Sequence, residues 1–113
     1  MTKIVYNACY GGFSLSDQAI EMYLNLKGIE YTKIENAWRS NYRIEGDEYF
    51  YSRYLDRADP TLVHVVETLG DKANGRFADL RIEEIPKGIL YRIDEYDGYE
   101  SIETKEDIEW KVA

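Results

Sequence analysis

The chain has 113 residues, 44% of them hydrophobic and 32% charged, with a formal net charge of −8 at neutral pH. This is the length of one domain, 1–113, with enough apolar mass for a packed core. The negative charge repels nucleic-acid polymers, and no apolar run is long enough to span a bilayer, so a membrane partner is not expected.

Met1-Thr2-Lys3-Ile4-Val5 runs straight into a strand-like pattern without the apolar core of a signal peptide. The single cysteine, Cys9, cannot close an internal disulfide. Both features point to a cytoplasmic protein. From Asp79 to Glu109 there are eleven acidic side chains against four basic ones. The stretch from Trp38 to Ala58 instead holds four of the seven arginines, Arg39, Arg43, Arg53 and Arg57.

Lys3–Ala8 reads as a short strand, stopped by Gly11-Gly12. Ser14 and Ser16 are both candidate N-caps, and Ser14 with Asp17 fits a capping box with aspartate in the glutamate position. Ala19, Ile20, Tyr23, Leu24 and Lys27 lie at helical spacing before Gly28, which predicts a helix from about Asp17 to Lys27. Ile29–Asn36 reads as a second strand, completing a β-loop-α-β opening. In the middle, Gly46-Asp47 suggests a turn and Glu48–Tyr51 a strand. Asp59-Pro60 starts a helix with aspartate as N-cap and proline at N1. Its apolar stripe is Leu62, Val63, Val66 and Leu69, which leaves His64 solvated, and Gly70 ends it. Asn74-Gly75 marks a turn, Leu80 and Ile82 a half-buried strand, and Pro86-Lys87-Gly88 another turn. Ile89, Tyr91 and Ile93 alternate again, and Asp97-Gly98 between two tyrosines is a two-residue hairpin signal. Ile108, Trp110 and Val112 suggest a last short strand. The fold class expected is α+β: a small mixed β-sheet with an N-terminal β-loop-α-β unit, a second helix and a C-terminal antiparallel hairpin.

The first candidate site is the loop Cys9, Tyr10, Gly11, Gly12, Phe13, Ser14 and Ser16. A strand that feeds a helix N-terminus through glycines offers free amides and the positive end of the helix dipole to an anion. Ser14 and Ser16 add hydroxyls, and Tyr10 or Phe13 can stack on a base. The alternative is a tight turn with a capped helix. Neither a Gly-Lys-Ser/Thr ending nor a Gly-x-Gly-x-x-Gly run is present. The second candidate is the arginine and tyrosine middle, where Arg39, Arg43, Arg53 and Arg57 lie among Trp38, Tyr42, Tyr49, Tyr51 and Tyr54. Guanidinium forks and aromatic faces suit a nucleotide-sized anion or a protein interface. Pairing of those arginines with Glu45, Asp47, Glu48 and Asp56 is the competing account. A third candidate is the acidic hairpin from Ile89 to Thr104, either a negative surface for a basic partner or a charged edge that discourages aggregation.

No catalytic residue is assigned. A phosphatase-type loop around Cys9 needs arginine six positions on, and that position is Leu15. A Cys–His pair could use only His64, which the helical pattern turns outward. One histidine and one cysteine cannot build a usual zinc site, and no EF-hand spacing exists, so neither metal nor cofactor is expected.

The opening Lys3-Ile4-Val5-Tyr6-Asn7-Ala8-Cys9-Tyr10-Gly11-Gly12-Phe13-Ser14-Leu15-Ser16 resembles the start of a family of small phage and prophage proteins. So do Asp59–Val63, Glu67–Gly70, Leu80–Pro86 and Asp94–Gly98, which spread over most of the chain. Trp38–Arg57 matches least. The resemblance implies a setting in the host cytoplasm and no mechanism. In that setting small proteins without catalytic constellations act by binding, and some sequester nucleotide signals of bacterial immunity. The reading expected is a binding protein for a small phosphorylated ligand, built as a homo-oligomer. A protein–protein inhibitor of a host protein is the alternative, and a nucleotide- or phosphoester-acting enzyme a further one.

Overall fold

The β-branched and aromatic run Ile4-Val5-Tyr6 near the N-terminus forms strand β1, Thr2–Asn7, in which Ile4, Val5 and Asn7 are buried. The computed structural model describes residues 1–35, 40–44 and 48–104. After the glycine loop, helix α1 covers Asp17–Leu26. Strands β2, Thr32–Glu35, and β3, Ser40–Arg43, follow, then a 3-10 turn at Ser52–Tyr54. Helix α2 spans Pro60–Leu69. Strands β4, Leu80–Ile85, β5, Tyr91–Tyr96, and β6, Tyr99–Thr104, complete the described chain.

The α+β class, the β-loop-α-β order, the second helix and the terminal hairpin are all present. The strands form three antiparallel pairs, β1 with β4, β2 with β3 and β5 with β6, where one mixed sheet was expected. The reason lies in where β1 finds a partner. One edge is taken by β4, with Thr2 opposite Ile85 and Asn7 opposite Leu80; on the other, the Val5 and Asn7 amides donate to the Arg57 carbonyl and the Glu100 carboxylate, and β2 pairs with β3. Ser40–Arg43 carried no strand expectation. Glu48–Tyr51 does not form a full strand; Tyr49 makes one isolated bridge to Arg43. The expected Gly46-Asp47 turn and the strand through Ile108, Trp110 and Val112 lie outside the described residues.

The core sits where the helices meet each other and the inner face of β1. Val5, Leu15, Ala19, Tyr23, Leu24, Tyr42, Leu62, Val63, Val65, Val66 and Ala73 form one buried cluster. Asp59 caps α2 by accepting from the Thr61 amide at 2.8 Å. The same carboxylate accepts from the Tyr23 hydroxyl at 2.7 Å and lies 3.3 Å from Lys27 Nζ. Tyr23 and Lys27 are one helical turn apart, so α1 grips the start of α2 with one face. Burial pushes the Tyr23 hydroxyl pKa up, and its hydrogen bond to Asp59 adds to the rise. Burial acts to raise the Asp59 carboxyl, but Tyr23, the Thr61 amide and Lys27 outweigh it and hold it below its usual range.

No helix among the described residues is long and apolar enough to cross a membrane.

Candidate functional site

Three connections converge at one end of the β1–β4 pair: the glycine loop after β1, the turn before β4, and the β5–β6 turn. Asn7, the last residue of β1 and fully buried, ties them together. Its Nδ2 donates to the Cys9 carbonyl at 2.7 Å and to the Gly98 carbonyl at 2.9 Å. Its Oδ1 accepts from the Asp79 amide at 2.9 Å. A buried carboxamide can serve all three loops because it carries donors and acceptors on one planar group.

The contacts between these loops are close enough to require glycine. A Cβ at Gly11 would collide with the Phe77 carbonyl oxygen and Cβ, and a Cβ at Gly98 with the Tyr10 carbonyl. Asp97 and Gly98 have φ of 50° and 88°, the pair of positive values that a two-residue type I′ turn needs.

A buried ion pair supports the same end from below. Glu100, on β6, accepts from the Asn7 amide at 2.9 Å and from Arg57 Nη1. Their side chains are 7% and 12% exposed. The Arg57 guanidinium also lies 3.6 Å from the centre of the Phe13 ring. Arg57 and Phe13 are therefore brought together, and their use is to hold the glycine loop. Arg57 faces Glu100 and not solvent.

Ser16 is the N-cap of α1: its Oγ accepts from the Ala19 amide at 3.1 Å and donates to the Lys72 carbonyl at 2.6 Å. Ser14 Oγ donates to the Arg76 carbonyl at 3.4 Å, and the capping role that sequence allowed to either serine falls to Ser16. Both hydroxyls fasten the loop to the segment before β4. Cys9 is a free, half-buried thiol whose carbonyl is held by Asn7. His64 is exposed on α2, and no hydrogen bond joins it to Cys9 among the described residues. Among the described residues no group of three or more His, Cys, Asp and Glu side chains comes together to hold a metal ion.

Tyr10 remains open to solvent at 64% exposure, with its ring 5.2 Å from that of Tyr99. Phe77, against Gly11, is 67% exposed and has φ of 64°, a left-handed conformation that is rare for a bulky side chain. The Arg76 guanidinium lies 4.9 Å from the Phe77 ring centre and makes no ion pair among the described residues. The amides of Tyr10, Gly11 and Phe13 donate to no acceptor among the described residues. An aromatic face, a guanidinium and unused amides thus share one surface.

Sequence reasoning missed Arg76, Phe77, Tyr99 and the hub Asn7. Asn74-Gly75 marked the turn that carries Arg76 and Phe77, but a turn signal does not say what its tip will meet. Of the arginine middle, Arg53 stands apart from the glycine loop in its contacts. Its guanidinium lies 5.5 Å from the Tyr51 ring centre and 4.9 Å from that of Tyr54, both exposed. Arg43 lies on β3 opposite Thr32. Arg39 lies outside the described residues.

Comparison of the chain with family models, curated proteins and solved structures gives no match.

Proposed function

We propose that this chain is a small binding protein, not an enzyme, that holds a phosphorylated ligand with an aromatic ring on the three-loop surface. One observation carries the reading: the exposed Tyr10–Tyr99 pair and the Arg76-capped Phe77 stand beside loop amides that have no internal acceptor among the described residues. Aromatic faces stack on a base, and a guanidinium with backbone amides receives a phosphate. The left-handed Phe77 adds support, because a bulky residue held at positive φ costs roughly 1–2 kcal/mol that packing does not recover for an exposed ring. Together with the phage-protein resemblance of the opening, this favours capture of a nucleotide signal of bacterial immunity in the host cytoplasm.

The test is native mass spectrometry of the protein purified from bacteria with an active nucleotide-signalling defence. The reading expects a small phosphorylated compound retained by the wild type and lost from Arg76→Ala and from Phe77→Ala. Both side chains are exposed, so neither change should unfold the chain. A wild type without such a compound, unaffected by added nucleotides, sinks the reading.

The protein-inhibitor reading draws on a different feature, the exposed Asp94, Glu95, Tyr96 and Asp97 of the hairpin. It expects salt-sensitive capture of a basic host protein that survives Arg76→Ala.

A further inference from the structure

We propose that β5 is a self-pairing edge, through which two copies of the chain join antiparallel about a two-fold axis at Ile93. This inference does not depend on the ligand reading. Among the described residues β5 has one ladder partner, β6. The tight two-residue turn places Tyr96 and Tyr99 as a hydrogen-bonded pair, and such pairs alternate along an antiparallel ladder. Asp94 with Ser101 and Arg92 with Glu103 are then also hydrogen-bonded pairs. The N–H and C=O groups of Tyr91, Ile93 and Glu95 point away from β6, to the edge that has no strand partner among the described residues.

An antiparallel pairing centred on Ile93 uses those outward groups and no others. Ile93 bonds to Ile93 of the second copy, and Tyr91 to Glu95 of the second copy. The side chains then fall into complementary rows. On one face, Ile93 already sits opposite Ile102, so pairing produces an unbroken isoleucine row across four strands. On the other face, Arg92 meets Asp94 of the second copy, extending the Arg92–Glu103 ion pair of 2.7 Å into an alternating charge row. Leu90 and Tyr96, 66% and 77% exposed, come opposite one another and cover each other. Acidic and basic residues on an edge normally keep copies apart. Here one register turns each into the partner of the other, and shifting by one residue places the isoleucines on opposite faces. The contact is small, so the dimer should be weak and concentration-dependent.

Sedimentation equilibrium over a wide concentration range tests this. The wild type should approach twice the 13.3 kDa chain mass. Arg92→Asp or Asp94→Arg should each weaken association roughly tenfold by placing like charges opposite one another. The combined Arg92→Asp, Asp94→Arg variant should restore it. Arg92→Asp also sets a like charge against Glu103 within each copy, and that repulsion persists in the combined variant, so recovery there isolates the contact between copies. Wild-type amide exchange gives a readout that needs no variant: Tyr91, Ile93 and Glu95 amides should become protected as concentration rises. A chain monomeric at all concentrations, association indifferent to the charge swaps, or fast exchange at those three amides in the dimer would overturn the proposal.

Discussion

Replacing Asn7 with aspartate changes one NH2 group to oxygen in a fully buried side chain. The Asp79 amide keeps its acceptor. The Cys9 and Gly98 carbonyls, now 2.7 and 2.9 Å from a donor, would face a carboxylate oxygen instead. Two partly buried carbonyls lose their donor, at about 2 kcal/mol each. The total of roughly 4 kcal/mol is a large part of the 5–15 kcal/mol that holds a typical domain. Burial of the new carboxylate against two carbonyls and beside Glu100 disfavours its charged form, so its folded pKa lies above the unfolded one. The variant's deficit should therefore be largest at neutral pH and shrink as pH falls toward 4. Urea unfolding at two pH values measures this, and amide exchange at Asp79 and Asn7 locates it. A neutral-pH loss below about 1 kcal/mol, or a deficit that grows on acidification, would refute Asn7 as the hub.

Glu100→Gln leaves Arg57 buried without its counter-charge, and should cost about 3 kcal/mol and loosen the hairpin and the glycine loop together, read by amide exchange in both. Phe77→Asn relieves a left-handed aromatic, so the melting temperature should rise while ligand binding is lost; a fall in both would remove the strain argument. The folded pKa of Asp59 is depressed, so its contribution is present above the ordinary carboxylate range and is lost as pH falls below about 4. Asp59→Asn keeps an N-cap side chain but removes the titration, and its stability should depend less steeply on pH than the wild type's across that acid limb.

The local grammar of this chain was legible because its signals act over a few residues. Asp59-Pro60 needs only its own amides to start α2, and Asp97-Gly98 needs only two positive φ values to close the hairpin. Which strands pair was not legible. β1 and β4 are joined across more than seventy residues, and nothing local distinguishes β4 from β2 as the partner of β1. The candidate site shows the same division. The glycine loop stands out in sequence through Gly11-Gly12, but its neighbours Phe77, Arg76 and Tyr99 reach it only through tertiary contact. Arg57 drew attention as an anion binder through its charge, and its meeting with Glu100, forty-three residues on, turns it to support. Asn7 was hidden because a polar residue ending a strand looks ordinary until its three partners are in place.

The most direct test of the ligand surface is an amide chemical-shift titration with a panel of mono-, di- and cyclic nucleotides. Saturable shifts are expected at Tyr10, Gly11, Phe13, Arg76 and Phe77 with at least one nucleotide, none along the exposed His64 face of α2, and their loss in Arg76→Ala. No shift with any nucleotide, or shifts centred away from the three loops, would contradict the ligand reading.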